Sequence, residues 1–294
     1  MMHLWLSVLI GARILILQSG PLPIYDQVVR GLTENKEHTY MLKILPVDAQ
    51  ELQSLLGKVD AVVPVGSKAL RLVLDARPQQ VPVVYTAVFN SAQYNIQKKN
   101  YTGVSLEIPP FRQLKMLKSV FPTLVKVGVP YGEMSRSQAE RLFLQSQDLG
   151  LQIFLYAVQS SKDIPTMMKA MKEAKVQFVW LPVDTVFASV NAVKMLLTES
   201  RKKKLPLWGY SEGHVRAGAT FGMEPDFEEV GRATADILDL VLDPENKEQP
   251  GAFLTVEATS FHAYLNTKSL YGLNPDPRVL KTLTRIYPLP EQSR

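Results

Sequence analysis

Residues 125–158 read VKVGVPYGEMSRSQAERLFLQSQDLGLQIFLYAV, and this stretch decides the fold class. Val125–Pro130 is a nearly continuous apolar run, the pattern of a strand buried on both faces. Ser135–Leu149 changes to helical spacing of its apolar residues and stops at Gly150, which suits the left-handed position after a helix. Leu151–Val158 returns to strand. Buried strands alternating with an amphipathic helix are the repeat of a parallel sheet covered by helices.

The same rhythm extends in both directions. Towards the N-terminus the pattern predicts strands at Ile14–Leu17, Tyr40–Leu45, Ala61–Val65 and Val81–Thr86. Helices are expected at Pro21–Leu32, Asp48–Leu56 and Ser67–Ala76, the last with Ser67 as N-cap. Towards the C-terminus, helix Asp163–Lys175, strand Gln177–Pro182, helix Thr185–Lys203 and strand Leu205–Gly209 follow. A short strand near Ala219–Gly222, a helix at Phe227–Leu242 and an apolar stretch at Ala252–Val256 complete the series. The reading is α/β, two doubly wound parallel-sheet lobes in tandem. The tail after Gly272, rich in proline and charge, is expected to wrap the surface.

At 294 residues the chain exceeds one ordinary domain, and 46% hydrophobic with 21% charged residues is a globular balance that excludes a disordered chain. No segment reaches the ~18 consecutive apolar residues of a membrane span, so an integral membrane protein is not expected. The absence of cysteine excludes disulfides, thiolate zinc sites and a Cys nucleophile. The net charge is +5, but the basic residues are scattered. Their one run, Arg201–Lys204, falls at a helix C-terminus, where it complements the helix dipole, so no nucleic-acid partner is expected. Leu4–Ala12 (LWLSVLIGA) has the length of an export-signal core, with only His3 before it. Residues 1–12 are read as an export signal or an N-terminal apolar segment; the alternative is the start of the first strand.

In open parallel sheets ligands sit beyond the C-terminal ends of the strands. The candidate ligand residues at those positions are Ser19, Ser67, Thr86, Ala87, Tyr131, Ser137, Asp184, Ser211 and Glu212. Hydroxyls dominate, which suits holding a small polar molecule better than cleaving one. Backbone amides at the helix start of Ser67 attract carboxylates. Asp184 either caps the helix from Thr185 or takes a cationic ligand group, and the second is favoured. Tyr85, Phe89, Tyr131, Phe187, Trp208 and Tyr210 gather near strand ends and suggest a cleft that tolerates aromatics. Gly209–Gly213 spells G-x-S-x-G, the pattern of a serine nucleophile, but another glycine at 218 leaves no room for the long helix such an elbow requires. The four histidines lie far apart without metal-ligand spacing, and no dinucleotide or P-loop glycine motif is present. No catalytic residue, cofactor or metal is therefore expected.

Several stretches resemble a known family. They are Val63-Pro64-Val65-Gly66-Ser67, Pro82–Val88 (PVVYTAV), Asn100–Ser105 (NYTGVS), Lys126–Tyr131 (KVGVPY), Pro182-Val183-Asp184, Val215–Thr220 (VRAGAT) and Glu229–Ala235 (EVGRATA). In order and spacing the chain is similar, over about residues 13–274, to the bacterial ABC-transporter substrate-binding proteins that include the tryptophan-binding member. That resemblance implies the type I periplasmic-binding-protein fold, a Venus flytrap of two lobes joined by three crossovers. Lobe one would be 13–106 plus 224–255, and lobe two 107–223 plus 256–294. It implies an extracytoplasmic monomer capturing a small molecule in the interlobe cleft by hinge closure. An ABC permease and its ATPase would be its partners. A stand-alone sensory domain of the same fold is the alternative, with a hydrolase using Ser211 a remote second. Ser67 matches the family's carboxylate-holding hydroxyl, Thr86 and Ala87 its next loop, and Asp184 an acidic cleft residue. Ser137 stands where an asparagine is usual, and Ser211 where an aspartate that pairs with a ligand amino group is usual. An α-amino acid ligand would then need Glu212 or Asp184 for its ammonium, while a neutral or anionic ligand would bring Arg136 into play.

Overall fold

Strands and helices alternate along two discontinuous stretches, so the chain forms two units, Met1–Glu107 with Pro225–Ser260 and Ile108–Glu224 with Phe261–Arg294. The computed structural model describes residues 11–34, 36–89, 91–94, 96, 100–243 and 255–288. Most of the expected export segment, and residues 252–254 of the expected last apolar stretch, lie outside the described residues.

Unit one begins with β1 (Arg13–Gln18), α1 (Pro23–Leu32), β2 (Thr39–Ile44), α2 (Ala49–Leu56), β3 (Ala61–Val65), α3 (Ser67–Ala76), β4 (Val83–Val88) and β5 (Tyr101–Ser105). The chain then builds α4 (Pro110–Val120), β6 (Lys126–Tyr131), α5 (Arg136–Gln145), β7 (Gln152–Ala157), α6 (Ile164–Glu173) and β8 (Phe178–Val179). It continues through α7 (Thr185–Ala188), α8 (Val190–Lys203), β9 (Trp208–Gly209), α9 (Glu212–Ala217) and β10 (Phe221–Pro225). It returns to unit one for α10 (Phe227–Leu242) and β11 (Val256–Glu257), and ends in unit two with β12 (Phe261–Asn266), α11 (Pro277–Leu280) and β13 (Arg285–Tyr287).

In unit one the strands pair in parallel in the order β11-β5-β4-β3-β1-β2. The central strands are buried on both faces: β3 and β4 throughout, and β1 from Ile14 onward. Their β-branched and leucine side chains divide between a core under α1 and α10 and a core under α2 and α3. The helix starts are locally encoded. Asp48 accepts a hydrogen bond from the Glu51 amide at 2.7 Å, and Asp226 from the Glu229 amide at 3.1 Å.

In unit two, β7-β6-β8 form one parallel group, and a bridge from Val179 to Leu207 leads towards the group β9-β10-β12-β13. Phe121, Phe178, Trp180, Trp208 and Phe221 fill the core, with ring centroids 5.5–6.4 Å apart along the chain of contacts. The Trp180 indole donates to Gln113 at 3.0 Å, so its one polar atom is satisfied.

Several details depart from the sequence pattern, among them the helix expected over Thr185–Lys203, which breaks at Ser189 into α7 and α8. Strand β4 starts at Val83 because Pro82 has no N–H to enter the ladder; its carbonyl accepts from Val62 instead. Strand β5, whose apolar run is interrupted by Gly103, pairs along β4 with that glycine opposite Tyr85. The α5 helix ends at Gln145, and Ser146–Leu149 tightens into a 3₁₀ turn before left-handed Gly150. The tail does not simply wrap the surface: Arg285–Tyr287 joins the sheet beside β12. The basic run at Arg201–Lys204 does end α8, where Lys202 and Lys203 meet Glu199 at 3.1 and 2.7 Å.

Helices α1 and α10 approach backbone to backbone. A Cβ added at Gly31 would overlap the Glu228 carbonyl, and one added at Gly231 would overlap the Val28 carbonyl and the Leu32 amide. Ordinarily Gly→Ala inside a helix gains about 1 kcal/mol. Here Gly231→Ala should instead destabilise the protein by roughly 2 kcal/mol through overpacking. The urea unfolding midpoint should fall for Gly231→Ala and stay put for Gly20→Ala, whose Cβ meets nothing within 4 Å.

Candidate functional site

At the C-terminal edge of the unit-one sheet, the ends of β1, β3 and β4 lie side by side. The Ser19 amide donates to the Val65 carbonyl at 3.0 Å, and the Gly66 amide to the Thr86 carbonyl at 2.9 Å. Ser19, Ser67, Thr86 and Ala87 are thereby brought together by three neighbouring strand ends. The N-cap of α3 is not Ser67, as the pattern suggested, but Gly66, with Ser67 as the first helical residue. Gly66 has φ +88°, and a side chain there would come within 2.6 Å of the Tyr25 hydroxyl and 2.7 Å of Ser19 Oγ. A serine cannot occupy that position, so the cap arrives from another strand. Ser19 Oγ accepts from the Ala69 amide at 2.9 Å. Burial raises the Tyr25 phenol above its ordinary pKa, and its hydrogen bond with Ser19 partly opposes this.

Three features follow for ligand binding. The amides of Ser67 and Lys68 belong to the first turn, whose N–H groups the helix itself cannot use. That turn holds no acidic residue, so its partial positive charge is not locally neutralised. Thr86 is fully buried, with its hydroxyl 2.9 Å from Thr234 Oγ of α10, so its side chain anchors that helix. Ala87 adopts φ +57° at a register shift between Tyr85 and Val88, a bulge that redirects the chain at the sheet edge.

The unit-two edge is built from Tyr131 at the end of β6, the Gly132–Ser135 turn, Asp184 after β8 and Tyr210–Glu212 after β9. Asp184 is 2% exposed. One carboxylate oxygen accepts from the Val186 amide at 3.0 Å; the other accepts from the Ser135 amide at 3.0 Å and its hydroxyl at 2.7 Å. A Cβ on Gly132 would stand 2.6 Å from the same carboxylate. Asp184 thus both caps α7 and ties down the turn after β6. Its hydrogen bonds are supplied from within the unit. Ser137 is exposed on the first turn of α5, and Arg136 lies 5.6 Å from the centre of the Tyr131 ring.

Ser211 caps α9, accepting from the His214 amide at 3.4 Å. Its backbone is extended (φ −157°, ψ 167°) and the helix behind it has six residues, neither of which matches a strained nucleophile elbow. The half-buried His214 ring is shifted towards its neutral form by desolvation and accepts the Tyr210 amide at 3.1 Å. The Tyr210 hydroxyl donates to the Pro182 carbonyl, and burial together with the Asp184 charge raises its pKa. Glu212 receives hydrogen bonds from the Tyr287 hydroxyl and, at 2.7 Å, from Arg285. These hold its carboxyl below the ordinary value of 4.5: the Tyr287 hydrogen bond contributes most, desolvation opposes it, and Arg285 adds to it.

Of the six aromatics, Tyr85, Phe187 and Trp208 are core residues, 3%, 0% and 2% exposed, so the aromatic cleft suggested by the pattern loses half its members. Sequence reasoning missed Tyr25, Ser135, Arg285 and Tyr287. The first two are ordinary residues made relevant by distant partners, and the last two lie in the tail. Among the described residues no group of three metal-ligating side chains occurs, and no helix is long and apolar enough to cross a membrane.

Both α/β units bring helix starts and hydroxyl side chains to the ends of their strands. The chain belongs to the ABC transporter substrate binding protein family, whose model matches residues 46–275. It is 20% identical over 195 residues to the tyrosine-binding protein of Clostridioides difficile, a match covering 63% of this chain and 55% of that relative. The matched region thus spans about half the length of that relative. Among solved structures, an ABC domain in complex with L-Trp from Streptococcus pneumoniae aligns with TM-score 0.62 and 21% identity, covering 94% of this chain and 99% of that one. A ligand-free, open substrate-binding protein with adhesive properties from Clostridium difficile aligns with TM-score 0.73 and 17% identity, covering 93% and 98%. The fold is therefore that of the type I periplasmic binding proteins.

Two outcomes are expected from this geometry. Asp184→Asn replaces an acceptor with a donor facing Ser135 and should lower stability by about 1–3 kcal/mol in urea titrations. The depressed Glu212 carboxyl contributes stability that is fully present above about pH 4.5 and is lost as pH falls through its lower folded value. Glu212→Gln should flatten the acid limb of the stability–pH curve between about pH 4.5 and that lower value, leaving the slope of the neutral-to-alkaline limb unchanged.

Proposed function

We propose that this protein is the extracytoplasmic solute-binding component of an ABC importer and that its ligand is an aromatic amino acid or a close analogue. Family membership over residues 46–275 is the observation that carries the reading. The tyrosine-binding relative and the L-Trp complex support the ligand class. An ABC permease and its ATPase are the proposed partners. The binding protein itself selects and delivers the solute.

In this proposal unit one takes the carboxylate. Ser67 and Lys68 offer backbone amides at a helix start, and the Ser67 hydroxyl adds a third donor. Unit two takes the ammonium through Glu212. Asp184 is the weaker candidate because two of its three close donors are backbone amides that cannot swing away. The close donors to Glu212 are the Tyr287 and Arg285 side chains, which can yield by rotating.

The assignment separates two ligand series. Tryptophan and tyrosine should raise the melting temperature of the purified protein by a few degrees, because a ligand at a hundredfold above its Kd adds about 2.7 kcal/mol. Ser67→Pro removes an amide and the hydroxyl at N1 while keeping a residue that suits a first turn, and it should weaken the amino acids and their deaminated analogues alike. Glu212→Gln should weaken the amino acids about tenfold and leave indole-3-propionate and 3-(4-hydroxyphenyl)propionate unchanged. Absence of a shift with every aromatic amino acid and analogue would refute the ligand class. Equal losses in both series for Glu212→Gln would refute the role of that carboxylate.

A further inference from the structure

One cavity has all its lining residues in unit two. It has a volume of about 500 Å³ and is lined by Arg216, Asn266, Lys268, Arg285, Tyr287 and Pro288. That is within the range of about 300–1,000 Å³ for pockets that hold small molecules. Three of the six lining residues are cations, and none is acidic.

The other polar groups are already committed. The Asn266 amide donates to the Val215 carbonyl at 2.8 Å and accepts from the Lys268 amide at 3.0 Å. The Tyr287 hydroxyl donates to Glu212, and Arg285 gives one guanidinium nitrogen to the same carboxylate at 2.7 Å. Glu212 therefore offsets one of the three positive charges. Arg216 and Lys268 are exposed, and among the described residues neither forms an ion pair within the chain. They come from different elements, the last turn of α9 and the turn after β12, and converge on one concavity with Arg285 of β13. A solvated basic face would spread such charges over a convex surface; here a net excess of about two charges is focused in a cavity, which strengthens attraction for a counter-ion.

We propose that this cavity is an anion site for a phosphate-bearing group, gripped by the Arg216 and Arg285 guanidinium groups and the Lys268 ammonium. Guanidinium forks match phosphate oxygens in pairs, and a lysine contributes a point charge, so a group with several oxygens and two or more negative charges fits best. The same chemistry is offered by a free phosphate or diphosphate and by the headgroup of an anionic lipid. The site shares Arg285 and Tyr287 with Glu212, the carboxylate assigned above to the ligand ammonium, so its test uses Arg216 and Lys268, neither of which hydrogen-bonds to Glu212.

Calorimetric titration of the full chain with pyrophosphate at low salt tests the site, beside flotation with phosphatidylcholine vesicles with and without phosphatidylglycerol. Saturable pyrophosphate binding is expected, weakening at least tenfold in the Arg216→Ala/Lys268→Ala double variant and only modestly in Arg216→Lys. Both substituted residues are exposed, so the melting temperature without anion should not change. Pyrophosphate binding without vesicle binding assigns the site to a free anion; vesicle binding that needs phosphatidylglycerol and is lost in the double variant assigns it to a headgroup. Either supports the site. No saturable binding to either probe, or binding that the double variant leaves intact, overturns it.

Discussion

The contact between Gly31 of α1 and Gly231 of α10 is the constraint on which unit one depends. The two helices meet with no side chain between their backbones, and only glycine on both sides permits it. At that spacing α10 covers the sheet face that β1, β3 and β4 present with Ile14, Val63 and Val84. Thr234 of α10 reaches the buried Thr86 hydroxyl, linking the helix to the strand that ends at the candidate site. The register of that edge thus rests on a helix encoded more than a hundred residues after β4.

The strand-end positions supply their chemistry unevenly. In unit one, Ser19 takes the Ala69 amide of a helix that starts two strands away in sequence order, and the Ser67 and Lys68 amides precede it in the same first turn. In unit two, the acids are already engaged: Asp184 by the Ser135 turn and α7, Glu212 by Tyr287 and Arg285. The edge of unit one is therefore a donor surface, and unit two offers a carboxylate only through side chains able to release it.

Much of the architecture was legible because it rests on local patterns: the apolar runs of β1, β3 and β6, the helical spacing over Asp48–Leu56 and Phe227–Leu242, the stop at Gly150. Where legibility failed, the deciding interaction was non-local. Ser67 has the right residue type for a cap, but the left-handed backbone that Tyr25 and Ser19 require falls on Gly66. Strand β13 is short and polar at its start, and only its pairing to β12 makes it a strand. Asp184 reads as a cap or, by preference, as a ligand partner until Ser135, 49 residues earlier, is seen to hold its second oxygen. The aromatic set failed for a related reason, since strand ends in a doubly wound sheet abut the core as closely as they abut solvent.

Because α10 is encoded after nearly all of unit two, unit one has a timetable as well as a geometry. Gly31 and Gly231 are about 200 residues apart, and synthesis at about 5–20 residues per second separates their emergence by about 10–40 s. During that interval Val28 and Leu32, fully buried in the finished protein, have no helix to pack against. Unit two lacks only β12 and the tail at the moment α10 arrives, so the first unit to start is the later one to finish its core. In a polypeptide ordered in this way, the part made first waits longest for the partner that closes its core.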